Sequence, residues 1–417
     1  MRFIIEGPTT IHGTITVAGA KNEALKLFAA ALLVDGPVRI DRVPAIEDIY
    51  RMAEVVSALG ARVSASNDGY DVDAATVQTA ELPPALIGKI RAGLVLLGPL
   101  LVRFGAATFP LPGGDAIGRR PIDLFIDGFR AFGATVEESF GAVAFHAGHL
   151  RPTHYVFPLV SVTGTEALML LAVRVPGESI LENVAMEPEV VALAKFLVSC
   201  GARIGGIGTP TLHITGVDKL SGGRIACIPD RIEAGTFAAL VAACGGELEI
   251  RECDPEHLAV PLKLLVAMGA TIEVDSTARA IRIHAKTPLR SISIKTHEYP
   301  GLATDLQPPF TVALTQSQGV ALVHETIYEG RLFYVDKLNK MGANIILCDP
   351  HRCIVDGPRQ LRGTSIESPD IRAGIALLIA AAAAHGRSII ENAYQIDRGF
   401  ERIEERLRSV GVQILRE

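Results

Sequence analysis

The 417-residue chain contains no tryptophan, and aromatic residues make up only 5% of it. With so few rings and no basic run, the sequence offers neither the stacking platform nor the electrostatic footprint of a nucleic-acid-binding surface; its formal net charge is −6. No apolar stretch approaches the roughly 18–20 residues needed to cross a bilayer. The N-terminal MRFIIEGP carries too short an apolar segment for a secretory signal, so no membrane association and a cytoplasmic location are expected. The six cysteines, at 200, 227, 244, 253, 348 and 353, form no CxxC pair and no zinc-like spacing. They read as reduced, mostly buried thiols. Low-complexity linkers are missing too, so domains must be joined by short, ordered crossings.

What the chain does have is repetition. Six amphipathic runs each end in a glycine followed by a strand-like segment, at Gly60, Gly133, Gly201, Gly269, Gly342 and Gly411, with spacings of 73, 68, 68, 73 and 69 residues. Each run carries apolar residues at helical spacing and a glycine where a helix C-cap needs positive φ. A second series interleaves with it and is apolar almost all round: ALKLFAAALLV (24–34), AGLVLLGPLLV (92–102), ALMLLAVRV (167–175), AGTFAALVAA (234–243), FTVALTQSQ (310–318) and AGIALLIAAAAA (373–384). A helix without a polar face must be buried on every side. The expected architecture is α/β: six related subdomains with helices packed inside sheets. At this length, two domains of three units each are expected.

The polar residues that stand out collect just ahead of these buried helices: Lys21 and Asn22, Arg91, Ser161 to Thr165, Asp230 with Arg231 and Glu233, Asp305, and Asp370 with Arg372. Helix N-termini present unpaired N–H groups and partial positive charge, which favour anions. Asp230 and Ser161 are equally readable as plain N-caps. Capping does not account for Lys21, Arg91 or Arg372, because a cation at a helix N-terminus calls for a counter-anion. Further arginines fall in loops: Arg119 and Arg120 after LPGGDAIG, Arg331 in YEGRL, and Arg398 in QIDRGF. Guanidinium groups suit carboxylate and phosphate, so a ligand carrying both fits this inventory. Arg402 and Arg406, on a Glu-rich outer helix, read as surface ion pairs. Gly113 and Gly114 suggest a flexible lid over 111–121, with Asp115 as an acid on it.

Seven segments in order carry a family resemblance: AGAKNEAL (18–25), IRAGLVLLGPLLVRFG (90–105), LPGGDAIGRRPIDL (111–124), PDRIEAGTF (229–237), ATDLQPPF (303–310), PDIRAG (369–374) and QIDRGFERIEERL (395–407). Together they resemble the UDP-N-acetylglucosamine 1-carboxyvinyltransferases, a family of enolpyruvyl transferases. The resemblance implies an inside-out α/β barrel fold with two domains, each of three repeated βαβαββ-like units. Domain I would span 21–229 with its lid at 111–121, and a discontinuous domain II would comprise 1–20 and 230–417. The active site would lie in the cleft between them.

The implied reaction uses neither cofactor nor metal. The 3′-hydroxyl of UDP-N-acetylglucosamine adds to C2 of phosphoenolpyruvate and phosphate leaves, the first committed step of peptidoglycan precursor synthesis. By matching motif positions, Lys21, Arg120 and Arg398 would surround phosphoenolpyruvate, with Arg91, Arg331 and Arg372 beside them. Asn22 would hold the sugar, and Ser161, Val162, Thr163 and Gly164 the diphosphate. Asp305 would act on the 3′-hydroxyl, Asp370 would assist proton transfer, and Ile327 joins the substrate-binding set.

Asp115 stands where most members of the family carry the cysteine that protonates C3 and can add covalently to phosphoenolpyruvate. A carboxylic acid can still donate that proton, so catalysis is expected with its optimum shifted toward acid. Inhibition by fosfomycin is expected to be weak, since a carboxylate is a poorer nucleophile than a thiolate. Val95, Leu159, Phe125, Gly330 and Lys26 also depart from the family's usual Trp, Lys, His, Asn and Pro. These changes keep two alternatives open: another acceptor, including shikimate 3-phosphate, and a non-catalytic ligand-binding paralogue.

Overall fold

The computed structural model describes residues 1–88, 90–110 and 122–417. Among these residues the chain divides into two compact units. One comprises Met1–Ala18 and Pro229–Glu417; the other comprises residues 19–88, 90–110 and 122–228. Each has its own hydrophobic core. No helix among the described residues is long and apolar enough to cross a membrane.

The apolar series forms six buried helices: α1 (Lys21–Ala31), α2 (Leu97–Phe104), α3 (Val162–Ala172), α4 (Arg231–Cys244), α5 (Gln307–Thr315) and α6 (Ile371–Ala383). In α1 every residue but Asn22 is buried, and in α6 every residue through Ala382 is. Helices α4, α5 and α6 pack on one another at the centre of their unit. In the other unit α2 lies against α3, where a Cβ on Gly98 would sit 2.9 Å from the Ala167 carbonyl oxygen. One of the runs becomes α-helical later than its hydrophobicity suggests. Residues Arg91–Leu96 form a 3-10 helix, because Pro99 has no N–H for an α-helical bond back to Val95 and its ring would crowd that carbonyl. By contrast α5 begins at Gln307, ahead of its apolar run, with Pro308 and Pro309 in its first turn.

The amphipathic runs form outer helices at Glu47–Ala58, Asp123–Ala131, Pro188–Ser199, Ala259–Met268, Val335–Lys340 and Ile403–Ser409. All six repeat glycines have φ between 93° and 106°, the left-handed conformation that ends a helix and turns the chain into a strand.

The described strands form five four-stranded sheets and one three-stranded sheet. In each four-stranded sheet, the strand that follows a buried helix pairs in parallel with a short strand on one side. On the other side it pairs antiparallel with a longer strand. Facing apolar residues set the register, as in Val38↔Val72, Leu248↔Ile283 and Phe3↔Ile390. Some partners are remote in sequence. Thr14–Thr16 joins Gly246–Arg251, and Arg224–Ala226 joins Val38–Asp41.

Candidate active site

The residues singled out ahead of the buried helices do lie at those helix starts. Lys21 opens α1 and Arg91 opens the 3-10 helix before α2. Ser161 is the N-cap of α3 and accepts a hydrogen bond from Gly164 N at 3.1 Å, with Val162, Thr163 and Gly164 in the first turn. Asp230 caps α4, accepting from Ile232 N (2.8 Å) and Glu233 N (3.0 Å). Asp370 caps α6, accepting from Arg372 N (2.8 Å) and Ala373 N (3.0 Å). The capping reading therefore holds for Ser161 and Asp230, and Asp370 caps its helix as well.

One group of candidates meets within the unit Met1–Ala18/Pro229–Glu417. Asp305, in the 3-10 turn Thr304–Leu306 ahead of α5, lies between two guanidinium groups. Its Oδ1 accepts from Arg331 Nη2 and its Oδ2 from Arg372 Nε, both at 2.9 Å. Arg331 is buried, also donates from Nε to Thr304 Oγ1 at 3.3 Å, and lies 5.4 Å from the Tyr328 ring centroid. Its Nη1 is buried without an acceptor among the described residues. Arg372 is buried and lies 5.7 Å from the centre of the Phe400 ring. Arg398 is buried in the same unit and donates to Gln395 Oε1 at 3.0 Å. Ile327 is half-buried, its N–H bonded to Glu325 Oε1 at 2.8 Å. The arrangement holds one carboxylate with both oxygens engaged, next to guanidinium groups that can carry an anion.

In the other unit Lys21 pairs with Asp48, Nζ to Oδ2 at 2.7 Å, both side chains being buried. Asn22 and Arg91 are half-buried. Beneath Lys21 lies a buried charged cluster. Lys26 Nζ approaches Glu166 Oε2 at 3.2 Å, and Glu23 Oε2 accepts from Ile228 N at 2.6 Å. Burial raises the Glu166 carboxyl to about 7, against the opposing pull of Lys26. Burial likewise raises Glu23 to about 8, with the charges of Glu189 and Glu166 adding to it.

An unfolded Glu ionises at about pH 4.3. Between that value and about 8 the folded state holds a proton on Glu23 that the unfolded state has lost, so stability falls as pH rises through this window. A Glu23→Gln variant keeps an acceptor for Ile228 N and removes the titration. Its melting temperature is expected to fall less than wild type's between about pH 5 and pH 8, ending higher at pH 8. Parallel calorimetric Tm–pH curves would contradict this.

Sequence reasoning missed Asp48, the Lys26–Glu166 pair and Glu325. Asp48 was findable. Counted back from the repeat glycines, Asp48, Glu189, Arg331 and Arg398 all fall 11 to 13 residues upstream, one charged position repeated in four units. Arg402 does pair with Glu405 on the surface. Arg406 corrects the sequence reading: it is a tether rather than a surface ion pair. It reaches back to Glu233 in the first turn of α4, donates to the Thr16 carbonyl at 2.6 Å, and stacks 4.9 Å from the Phe237 ring centroid. The reason is length, since a guanidinium on the outer helix can satisfy a buried carboxylate that has few other donors. Asp115, Arg119, Arg120 and the expected lid at 111–121 lie outside the described residues.

Comparison with known proteins gives a consistent picture. The family model for EPSP synthase (3-phosphoshikimate 1-carboxyvinyltransferase) matches residues 5–407. A relative from Koribacter versatilis named UDP-N-acetylglucosamine 1-carboxyvinyltransferase is 41% identical, covering 100% of this chain and 96% of its own. A relative from Caldanaerobacter subterraneus subsp. tengcongensis, UDP-N-acetylglucosamine 1-carboxyvinyltransferase 3, is 41% identical over 100% of this chain and 99% of its own. Among solved structures, the enolpyruvyl transferase NikO of Streptomyces tendae superposes with a TM-score of 0.89 at 26% identity, covering 99% of this chain and 98% of that one. EPSP synthase from Acinetobacter baumannii has a TM-score of 0.77 at 18% identity over the whole of both chains, a likeness of fold alone. A full-length family match and full-length identity at this level leave one assignment: the chain belongs to the EPSP synthase family of enolpyruvyl (1-carboxyvinyl) transferases.

Proposed function

We propose that this chain transfers the enolpyruvyl group of phosphoenolpyruvate to the 3′-hydroxyl of UDP-N-acetylglucosamine and releases phosphate. The observation that carries the reading is 41% identity, over the entire chain, to relatives named for that reaction. We further read the six helix-and-sheet repeats as inside-out α/β domains of three repeats each.

The transfer is an addition followed by an elimination. The 3′-oxygen bonds to C2 while C3 gains a proton. The C2–O bond to phosphate then breaks as C3 gives a proton back. Such a reaction needs a group to accept the hydroxyl proton, an acid for C3, and cations where phosphate and carboxylate charge shift. Asp305 suits the first role, because Arg331 and Arg372 fix both its oxygens at 2.9 Å while the side chain stays partly exposed. Asp370 anchors Arg372 by capping its helix and is assigned to support of the proton transfers. Lys21, Arg120, Arg398 and Arg91 are assigned to the anion of phosphoenolpyruvate, and Asp48 holds Lys21 in place. Asn22, Ile327 and the turn Ser161–Gly164 are assigned to the UDP-sugar.

Asp115 is assigned as the acid for C3. Restoring a thiol with Asp115→Cys is expected to make the enzyme susceptible to covalent inactivation by fosfomycin, whereas wild type stays active at the same concentration. Stoichiometric labelling of wild type at Asp115 by fosfomycin, detected by peptide mass spectrometry, would contradict the expected insensitivity. The reaction itself is tested by NMR of the product, which is expected to carry vinyl protons on a substituent at the 3′-oxygen. A product substituted elsewhere, or none, would overturn the reading.

A further inference from the structure

We propose that Glu325 is a positioning residue for transfer, acting through Thr304 and Arg331 on Asp305; the inference rests on the reading of Asp305 and Arg331 given above. The starting point is a break in the repeat pattern. In four other repeats the residue directly after the first strand has positive φ: Arg42 (56°), Asn183 (56°), Glu252 (52°) and Asn392 (59°). Each of those side chains is exposed or half-exposed. Glu325 occupies the same place after Gly319–His324, yet it is absent from the positive-φ set and wholly buried.

A buried carboxylate without a cation beside it is unfavourable unless hydrogen bonds replace its hydration. Glu325 receives four. Its Oε1 accepts from Ile327 N (2.8 Å), Tyr328 N (3.2 Å) and Thr296 Oγ1 (3.1 Å). Its Oε2 accepts from Thr304 Oγ1 (2.9 Å). The first two bonds fix the turn that leads into Arg331. The last fixes the direction of a hydroxyl. Because Thr304 spends its only proton on Glu325, its lone pairs are left to accept Arg331 Nε at 3.3 Å. Arg331 then meets Asp305 through Nη2 at 2.9 Å. Glu325 thus sets both the backbone approach and the rotational position of the guanidinium that holds Asp305.

Three substitutions, with Arg331→Lys as a background, test this. In Glu325→Gln the amide oxygen keeps the backbone bonds, but the amide nitrogen turns a donor toward Thr304 and removes the charge. Thr304→Val deletes the link, and Thr304→Ser restores it. Glu325→Gln and Thr304→Val are expected to lower kcat about 10- to 100-fold with little change in KM for phosphoenolpyruvate, and Thr304→Ser to stay near wild type. In an Arg331→Lys background, which lacks the Nε donor, Glu325→Gln is expected to change kcat by less than about twofold. A purely structural role would instead give additive losses in that background, and additivity would overturn the inference. So would wild-type kcat in Glu325→Gln. Wild-type turnover, measured in parallel, separates the two readings. Turnover with additive variants removes only the role of Glu325, whereas no turnover at all overturns both.

Discussion

Asp305→Asn is expected to lower kcat by about 10²- to 10⁴-fold while phosphoenolpyruvate still binds. The substitution preserves shape and one acceptor oxygen, so the turn Thr304–Leu306 has no steric reason to move. It removes the charge that accepts the hydroxyl proton. It also presents an NH₂ group to either Arg331 Nη2 or Arg372 Nε, where the carboxylate accepted from both at 2.9 Å. Both arginines keep other contacts, Arg331 with Thr304 and the Tyr328 ring and Arg372 with the Phe400 ring, so the cationic surroundings persist. Single-turnover phosphate release together with calorimetric titration of phosphoenolpyruvate separates the two effects. Full turnover in the variant would remove Asp305 from the chemistry.

Lys26→Met is expected to be the most damaging single change to stability, by about 3–5 kcal/mol near pH 8. Lys26 is 4% exposed and Glu166 is fully buried, so deleting the ammonium strands a carboxylate whose oxygens have no hydrogen-bond donor. Lys26 pulls the Glu166 carboxyl down against the rise caused by burial. Without it the carboxyl rises further above about 7 and binds a proton instead. The loss is therefore expected to shrink as pH falls, because protonating Glu166 becomes easy. Scanning calorimetry is expected to show a drop of roughly 10 °C at pH 8 and a much smaller one near pH 5. Adding Glu166→Leu to the variant is expected to recover most of the loss. A pH-independent loss, or one that Glu166→Leu deepens, would contradict this account.

The fold was legible where local physics repeats. A helix C-cap needs positive φ whatever surrounds it, so six glycines about 70 residues apart mark six units directly. Polar residues ahead of all-apolar runs were equally visible, and they stand at helix starts as expected. Partnerships were less so. Lys26 and Glu166 sit on different repeats, and no local period links them. Strand Arg224–Ala226 finds Val38–Asp41 by topology rather than by pattern. Pro99 delayed α2 in a run whose hydrophobicity alone gave no such sign. Glu325 was hidden for a further reason: its strand-end position is ordinary, and only its inward turn distinguishes it.

The reaction is defined by the identity of its acceptor. It is tested most directly by phosphate release from phosphoenolpyruvate upon addition of UDP-N-acetylglucosamine, with shikimate 3-phosphate in parallel, over about pH 5 to 8. Release with the UDP-sugar alone, strongest on the acid side, is the expected result. Release with shikimate 3-phosphate alone, or with neither acceptor while phosphoenolpyruvate still binds, would contradict it.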